Sequence, residues 1–325
     1  MIVPRFWAEG RVRERVQGRQ VTVRRFGWSD SSQEDAQLNA ESRARAALDR
    51  IIAGDKLWSR EPKVPYGGAD GVPIREEILS RHGNAVVTRN VYGARCLNTP
   101  NVLFADIDFG EPFSGRLLIV LSVVFTLVSC VVGARWNSWE VQMIGLIGTL
   151  ISVPFIVNAW RHLFVSWHGG FERLALRRIE SYLEQHRDWH VRIYRTPAGV
   201  RVLALHQTFY PHDPIVAEFF RAVHADPVYT RMCVNQNCFR ARVSPKPWRI
   251  GINQHLKPRP GVWPITAERM PDRMAWVDAY EQTARAFAAC RLITEFGSSI
   301  VVSETQLIQK LHDELCQATT DLPLG

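Results

Sequence analysis

The chain has 325 residues, a formal net charge of +8 and six cysteines. The length suffices for more than one packed core, and six scattered cysteines argue against a disulfide framework. The basic excess suits an anionic lipid leaflet or nucleotides and nucleic acid. No cleavable signal peptide is expected, because Met1–Gly10 carries Arg5 and Glu9 and no long apolar run.

Taken in order, Met1–Gly18 is basic (Arg5, Arg11, Arg13, Arg15) and reads as an irregular solvated tail or a membrane-surface segment. Gln20–Trp28 alternates and predicts a strand. Ser29–Ser32 supplies helix caps, and Gln33–Ile52 predicts a helix ended by Gly54. Glu61–Pro73 is glycine-rich. It offers backbone amides to a phosphate, but it lacks the Lys-Ser/Thr of a P-loop and reads foremost as an ordered turn. A helix is predicted over Pro73–His82, and strands over Asn84–Asn90 and Asn101–Phe109.

Arg116 to Leu163 organises the rest. Leu117–Ala134 and Val141–Trp160 are uncharged apolar runs joined by Arg135–Glu140. A bilayer core needs about 20 apolar helical residues, down to ~17, so the pair predicts a transmembrane hairpin. Trp136 and Trp139 in the loop, with Trp160 and Trp167 at the other end, form two aromatic belts. Small residues recur four apart at Ser129/Gly133, Gly145/Thr149 and Gly148/Ser152, a spacing that lets helices approach closely. Pro154 should kink the second run. The connecting loop has Arg135, whereas Arg116, Arg161, Arg173, Arg177 and Arg178 flank the other ends. Positive charge stays inside, which predicts a multi-pass protein of a bacterial inner (plasma) membrane with both termini cytoplasmic.

Beyond the hairpin, Gly170–His186 predicts an amphipathic helix, and His190–Arg195 and Val200–Phe209 predict strands around the turn Thr196–Gly199. Ile215–Val223 reads as a helix, with a short second piece at Val228–Val234, and Cys238–Val243 as a strand stopped by Ser244–Pro247. Lys257–Pro264 is a loop, and Asp272–Glu295 and Glu304–Ala318 predict closing helices. From 101 onward the order is βαββαβ, that of a ferredoxin-like, palm-like core, with the transmembrane hairpin inserted after its first strand. The expected fold class is α+β. The expected divisions are an N-terminal segment (1–100), the palm-like body (101–115 and 166–255), the hairpin (116–165) and a helical C-terminal segment (256–325).

Asp106 and Asp108 are two apart on one strand, hence on one face. Paired carboxylates repel unless a cation lies between them, and Mg²⁺ with nucleotide phosphates is one solution; pairing with arginine is the other. His206 is a candidate for contacting phosphate or positioning a nucleophile, or else a structural strand histidine. Arg240, Arg242 and Lys246 at the last strand are candidate phosphate ligands, or partners of the two aspartates or of lipid headgroups. Cys233-x4-Cys238 would need His224 and His255 to hold zinc and reads foremost as core thiols. His312-Asp313 reads as helix surface. No Gly-x-Ser-x-Gly elbow, His-Glu-x-x-His or Walker A sequence occurs.

Asp106-Ile107-Asp108 followed by Arg195-Thr196-Pro197-Ala198-Gly199 resembles the palm of the archaeo-eukaryotic primase superfamily, which includes bacterial primase-polymerases. There an Asp-x-Asp strand precedes a hairpin of the type Arg-Thr-Pro-Ser-Gly-Gly-x-His. The resemblance implies two-metal nucleotidyl transfer, with Asp106 and Asp108 as metal ligands and a histidine at the nucleotide; Arg195, in the turn opposite, is a further candidate phosphate ligand. The family histidine falls near Val202 here, with His206 four residues further along the same face. The third acidic ligand lacks a clear counterpart, Asp226 and Asp272 being poor candidates. The expectation is therefore a phosphate- or nucleotide-binding body beneath the membrane, with Mg²⁺-dependent nucleotidyl transfer as its enzymatic form. The alternative is a non-enzymatic tethered scaffold that meets lipid, a protein partner or a second copy of itself.

Overall fold

A computed structural model describes residues 3–16, 18–61, 72–109, 115–167, 169–259 and 263–325. The chain is α+β. It opens with a hairpin of β1 (Phe6–Val16) and β2 (Arg19–Ser29), in register from Phe6 opposite Ser29 to Val16 opposite Arg19. The expected basic tail is thus a strand. Arg11, Arg13 and Arg15 recur every second residue and line its solvated face, while Ala8 and Gly10 turn inward. Helix α1 (Gln33–Ile52) covers the hairpin, and the Ser32 hydroxyl caps it by accepting from the Asp35 amide at 3.0 Å. Its buried stripe is Ala36, Ala40, Ala44, Ala47 and Leu48. Small residues are required there, since a Cβ at Gly10 or Gly27 would collide with the helix backbone at Ala40.

Two four-stranded sheets make the main body. One has the order β3 (Glu77–His82), β4 (Ala85–Arg89), β5 (Arg95–Thr99), β9 (Phe239–Arg242), each neighbouring pair antiparallel. A helix was expected over 73–82. Glu76 and Glu77 instead neutralise buried guanidiniums, Arg240 and Arg273. That tertiary demand overrides the helix propensity of Glu and Leu. The glycine-rich stretch over 61–73 falls almost wholly outside the described residues.

The second sheet has the order β10 (Arg291–Gly297), β7 (His190–Thr196), β8 (Gly199–Ala204), β6 (Phe104–Asp108). Strands β7, β8 and β6 pair antiparallel in that order. The fourth strand departs from the expectation: β9 hydrogen-bonds to β5, in the other sheet. It is tied to β6 through Tyr229, whose hydroxyl donates to the Phe104 carbonyl at 2.9 Å. The closing helix expected to run to Glu295 stops early. Helix α7 covers Met270–Ala284, and the next residues form β10 at the free edge of β7. Helices α4 (Phe171–Gln185), α5 (Pro214–Ala222), α6 (Pro227–Gln236) and α8 (Ser303–Cys316) complete the body. One apolar core draws on Val87 and Leu97, on Phe104 and Val202, and on Ile308 and Cys316, and so runs across positions 100 and 255.

Between β6 and α4 stand α2 (Gly115–Arg135) and α3 (Trp139–Trp167). They run antiparallel: a Cβ on Gly145 would lie 2.6 Å from that of Ser129, and one on Gly133 would strike Gln142. Outward they carry bare apolar side chains, among them Leu127, Val131, Ile144, Phe155 and Leu163. By length and composition α3 is long and apolar enough to cross a membrane, whereas the described apolar stretch of α2, Ile119–Arg135, is shorter. Two spanning helices were expected, and α3 alone meets that measure among the described residues.

Candidate functional site

The antiparallel register puts Asp106 opposite Arg201 and Asp108 opposite Gly199. The strands close tightly there, because a Cβ on Gly199 would enter the Ile107 carbonyl. Asp106 is claimed by Arg201, which donates from Nε to one carboxylate oxygen at 2.7 Å and from Nη2 to the other at 3.2 Å. Arg201 is 1% exposed and also donates to the Arg242 carbonyl at 2.8 Å. Burial opposes its charge, and Asp106 more than compensates, so its pKa is raised.

A third carboxylate joins the two. Asp226 caps α6, accepting from the Val228 amide at 2.9 Å and the Tyr229 amide at 3.3 Å, and its own amide donates to the Asp106 carbonyl at 2.8 Å. Asp108 sits at the exposed strand end, and its pKa is nonetheless raised, by desolvation first and then by Asp106 and Asp226, against the pull of Lys246 and Arg242.

Facing these acids is a crowd of cations. Lys246 is pushed down to about 8 by burial first and then by Arg242 and Arg249, with Asp108 and Asp106 opposing. Arg249 is lowered by burial and by Arg242. The buried Nε of Arg242 and Nη1 of Arg249 find no acceptor among the described residues. Lys246 Nζ stands 5.4 Å from the ring centroid of Trp248, whose indole is 52% exposed and meets Tyr92 edge-on at 5.2 Å. Tyr92 is raised by burial and by Cys96, with Arg242 lowering it through charge and a hydrogen bond.

The other sequence candidates lie elsewhere. Arg195 pairs with Glu172 and stacks over Phe109, 4.5 Å from the ring centroid. Arg240, 7% exposed, is gripped by both oxygens of Glu76 at 2.8 and 2.7 Å. The structure does not bring His206 to Asp106. It follows β8, five residues on from Arg201, packed against Trp189 at 4.6 Å and Phe209 at 5.3 Å between centroids. Burial lowers its pKa, opposed by the His190 backbone. Cys233 and Cys238 are buried thiols, both raised by burial, Cys238 to about 12, and neither His224 nor His255 joins them in a ligand group. His312, expected on a helix surface, is fully buried.

Sequence reasoning placed Arg249 among the basic residues leaving the last strand and weighed Asp226 only as a poor third acid; it missed Tyr92 and Trp248. Asp226-Pro227 carries a helix-start signal, which explains its backbone role and conceals its carboxylate. As a Mg²⁺ shell the acids fit poorly. Both oxygens of Asp106 and of Asp226 already accept hydrogen bonds. Among the described residues, the three-ligand group whose donor atoms converge within 4.8 Å is Cys290, His312 and Cys316 instead. No family model, curated protein or solved structure matches this chain.

Proposed function

We propose that the chain is a multi-pass inner-membrane protein. Helices α2 and α3 anchor it, and its cytoplasmic α+β body, palm-like in β6, β7 and β8, binds a nucleotide through the patch after β9. One observation carries the ligand class. Arg242, Lys246 and Arg249 crowd together with unsatisfied buried N–H groups, beside an exposed indole. Like charges held together are relieved by a polyanion. Arginine forks suit phosphate oxygens, and Trp248 offers a stacking face to a base. Asp108, free of hydrogen bonds among the described residues, is the carboxylate that would hold Mg²⁺ arriving on the phosphates, a mode that needs only one or two carboxylates. The apolar outer surface of α2 and α3 supports the anchor, since a patch of that extent is unusual on a soluble monomer.

Titration calorimetry on the full chain in nanodiscs tests the reading, with ATP and inorganic triphosphate as probes, with and without Mg²⁺. Both should bind. Lys246→Met should weaken both, and Trp248→Ala only ATP. Absence of triphosphate binding in every condition would refute the site.

A non-enzymatic role for the same patch is favoured by one specific observation. Arg201 and the α6 amides take up the oxygens of Asp106 and Asp226, which leaves a single open carboxylate. On that reading the nucleotide, or an anionic headgroup, is a ligand rather than a substrate. Binding without turnover of ATP distinguishes the two.

A further inference from the structure

Beside the patch, and independent of its ligand, lies a buried cluster with different chemistry. His312 and Cys316 are one turn apart on α8 and so point to the same side; Cys290 enters from the segment before β10. His312, Cys290 and Cys316 are all fully buried, and their donor atoms lie within 4.8 Å of one another, the Cys290 sulfur 3.9 Å from His312 Nε2. Asp313 Oδ1 is 3.1 Å from His312 Nδ1. That contact holds the proton on Nδ1 and turns the Nε2 lone pair toward the sulfurs, as outer-shell carboxylates do for metal-bound histidines.

We propose that Cys290, His312 and Cys316 hold a structural zinc ion, with Asp313 as the positioning residue on the histidine. Zinc–sulfur bonds of about 2.3 Å and zinc–nitrogen bonds of about 2.0 Å place tetrahedral ligands roughly 3.5–3.8 Å apart. The widest separation, 4.8 Å at most, need contract by no more than about 1.3 Å to reach that. Two thiolates, a neutral imidazole and a soft divalent ion sum to zero charge, which suits a site without water. The carbonyl oxygen of Arg242, 3.9 Å from the Cys316 sulfur, is on hand for the fourth position.

Arg201 Nη1 approaches His312 Nε2 at 3.3 Å and competes with an ion for that nitrogen. Its charge is matched by Asp106; Nη1 has two hydrogens and one already bonds the Arg242 carbonyl, so zinc binding requires only that the other turn away from Nε2. A bound zinc would fasten α8 to β9 through the Arg242 carbonyl and to the segment before β10 through Cys290.

The test uses the full chain in detergent, purified under reducing conditions from zinc-replete cells. Elemental analysis should give one zinc per chain, retained in Cys130→Ser and lost in the Cys290→Ser/Cys316→Ser double variant. After chelation, Co²⁺ added to the wild-type chain should develop thiolate-to-cobalt charge-transfer absorption and tetrahedral d–d bands, a result that needs no variant to fold. Asp313→Asn should weaken zinc about 10–100-fold in competition with a chromophoric chelator. A zinc-free wild-type chain without the cobalt bands, or a Cys290–Cys316 disulfide in its intact mass, overturns the proposal; so does zinc retained by the double variant.

Discussion

Asp106 and Arg201 allow the sharpest test of what holds the candidate site. Arg201 is 1% exposed and Asp106 27%, joined by two hydrogen bonds. Asp106→Asn keeps the shape and one acceptor but strands a buried guanidinium. Removing one partner of a buried pair costs about 3–5 kcal/mol, and the partial exposure of Asp106 points to the lower end, ~3 kcal/mol. For a body of this size each kcal/mol moves the melting temperature by roughly 2 °C, so a fall of about 6 °C is expected by intrinsic fluorescence in detergent. Replacing both partners, Asp106→Leu with Arg201→Met, should recover most of the loss, because a buried ion pair and a packed apolar pair are close in free energy. A double-mutant cycle through the Asp106→Leu and Arg201→Met single variants therefore returns a coupling of about 2–3 kcal/mol. An Asp106→Asn melt within a degree of wild type would show that Arg201 does not depend on this carboxylate. Asp106 would then be free for a metal, contrary to the geometry.

Four further outcomes follow. Lys246 titrates near 8 rather than its ordinary 10.5, so triphosphate affinity should fall as pH rises from 7 to 9 in calorimetry, and a flat profile would exclude Lys246 from the anion site. Its folded pKa is depressed, so its contribution to stability is present above pH 10.5 and lost as pH falls through about 8. Lys246→Met should accordingly melt higher than wild type at pH 7, by about 1 kcal/mol after discounting for solvent screening, and the gain should vanish at high pH. In the helical pair, Gly145→Leu drives a side chain into Ser129 and should lower the melting temperature by several degrees, while Gly148→Ala, which meets nothing within 4 Å, should not. Trp136→Cys in a Cys130→Ser background should be labelled by an impermeant maleimide from outside intact cells. Labelling only after lysis would reverse the orientation.

The elements legible in the sequence are those fixed by their own neighbours. Helix α1 has a cap at Ser32 and a period-consistent alanine stripe, and its predicted span is the observed one. The β7–β8 hairpin follows from the Thr196–Gly199 turn, and α5 and α6 from their N-terminal prolines. The elements that were missed answer to distant partners. Strand β3 is set by guanidiniums at 240 and 273, and β5 by pairing with β9 across more than a hundred residues. Strand β10 exists because β7 has a free edge.

The same division runs through the site. A strand's period of two correctly puts Asp106 and Asp108 together, and Arg240 with Arg242. It does not show that Glu76 takes Arg240 and leaves the Arg242 Nε unsatisfied, because that depends on a carboxylate 164 residues away. His312 makes the point most clearly. On α8 the buried positions are Thr305, Ile308, His312 and Cys316, a helical stripe with three polar members, while Leu307 is 67% exposed. Hydropathy turns Ile308, Leu311 and Leu315 to the core, as observed, but gives no reason to bury His312 beside them. A stripe that buries a histidine, a cysteine and a threonine in preference to an available leucine needs a reason in its surroundings, and the convergence of Cys290, Arg201 and Asp313 on that face supplies one.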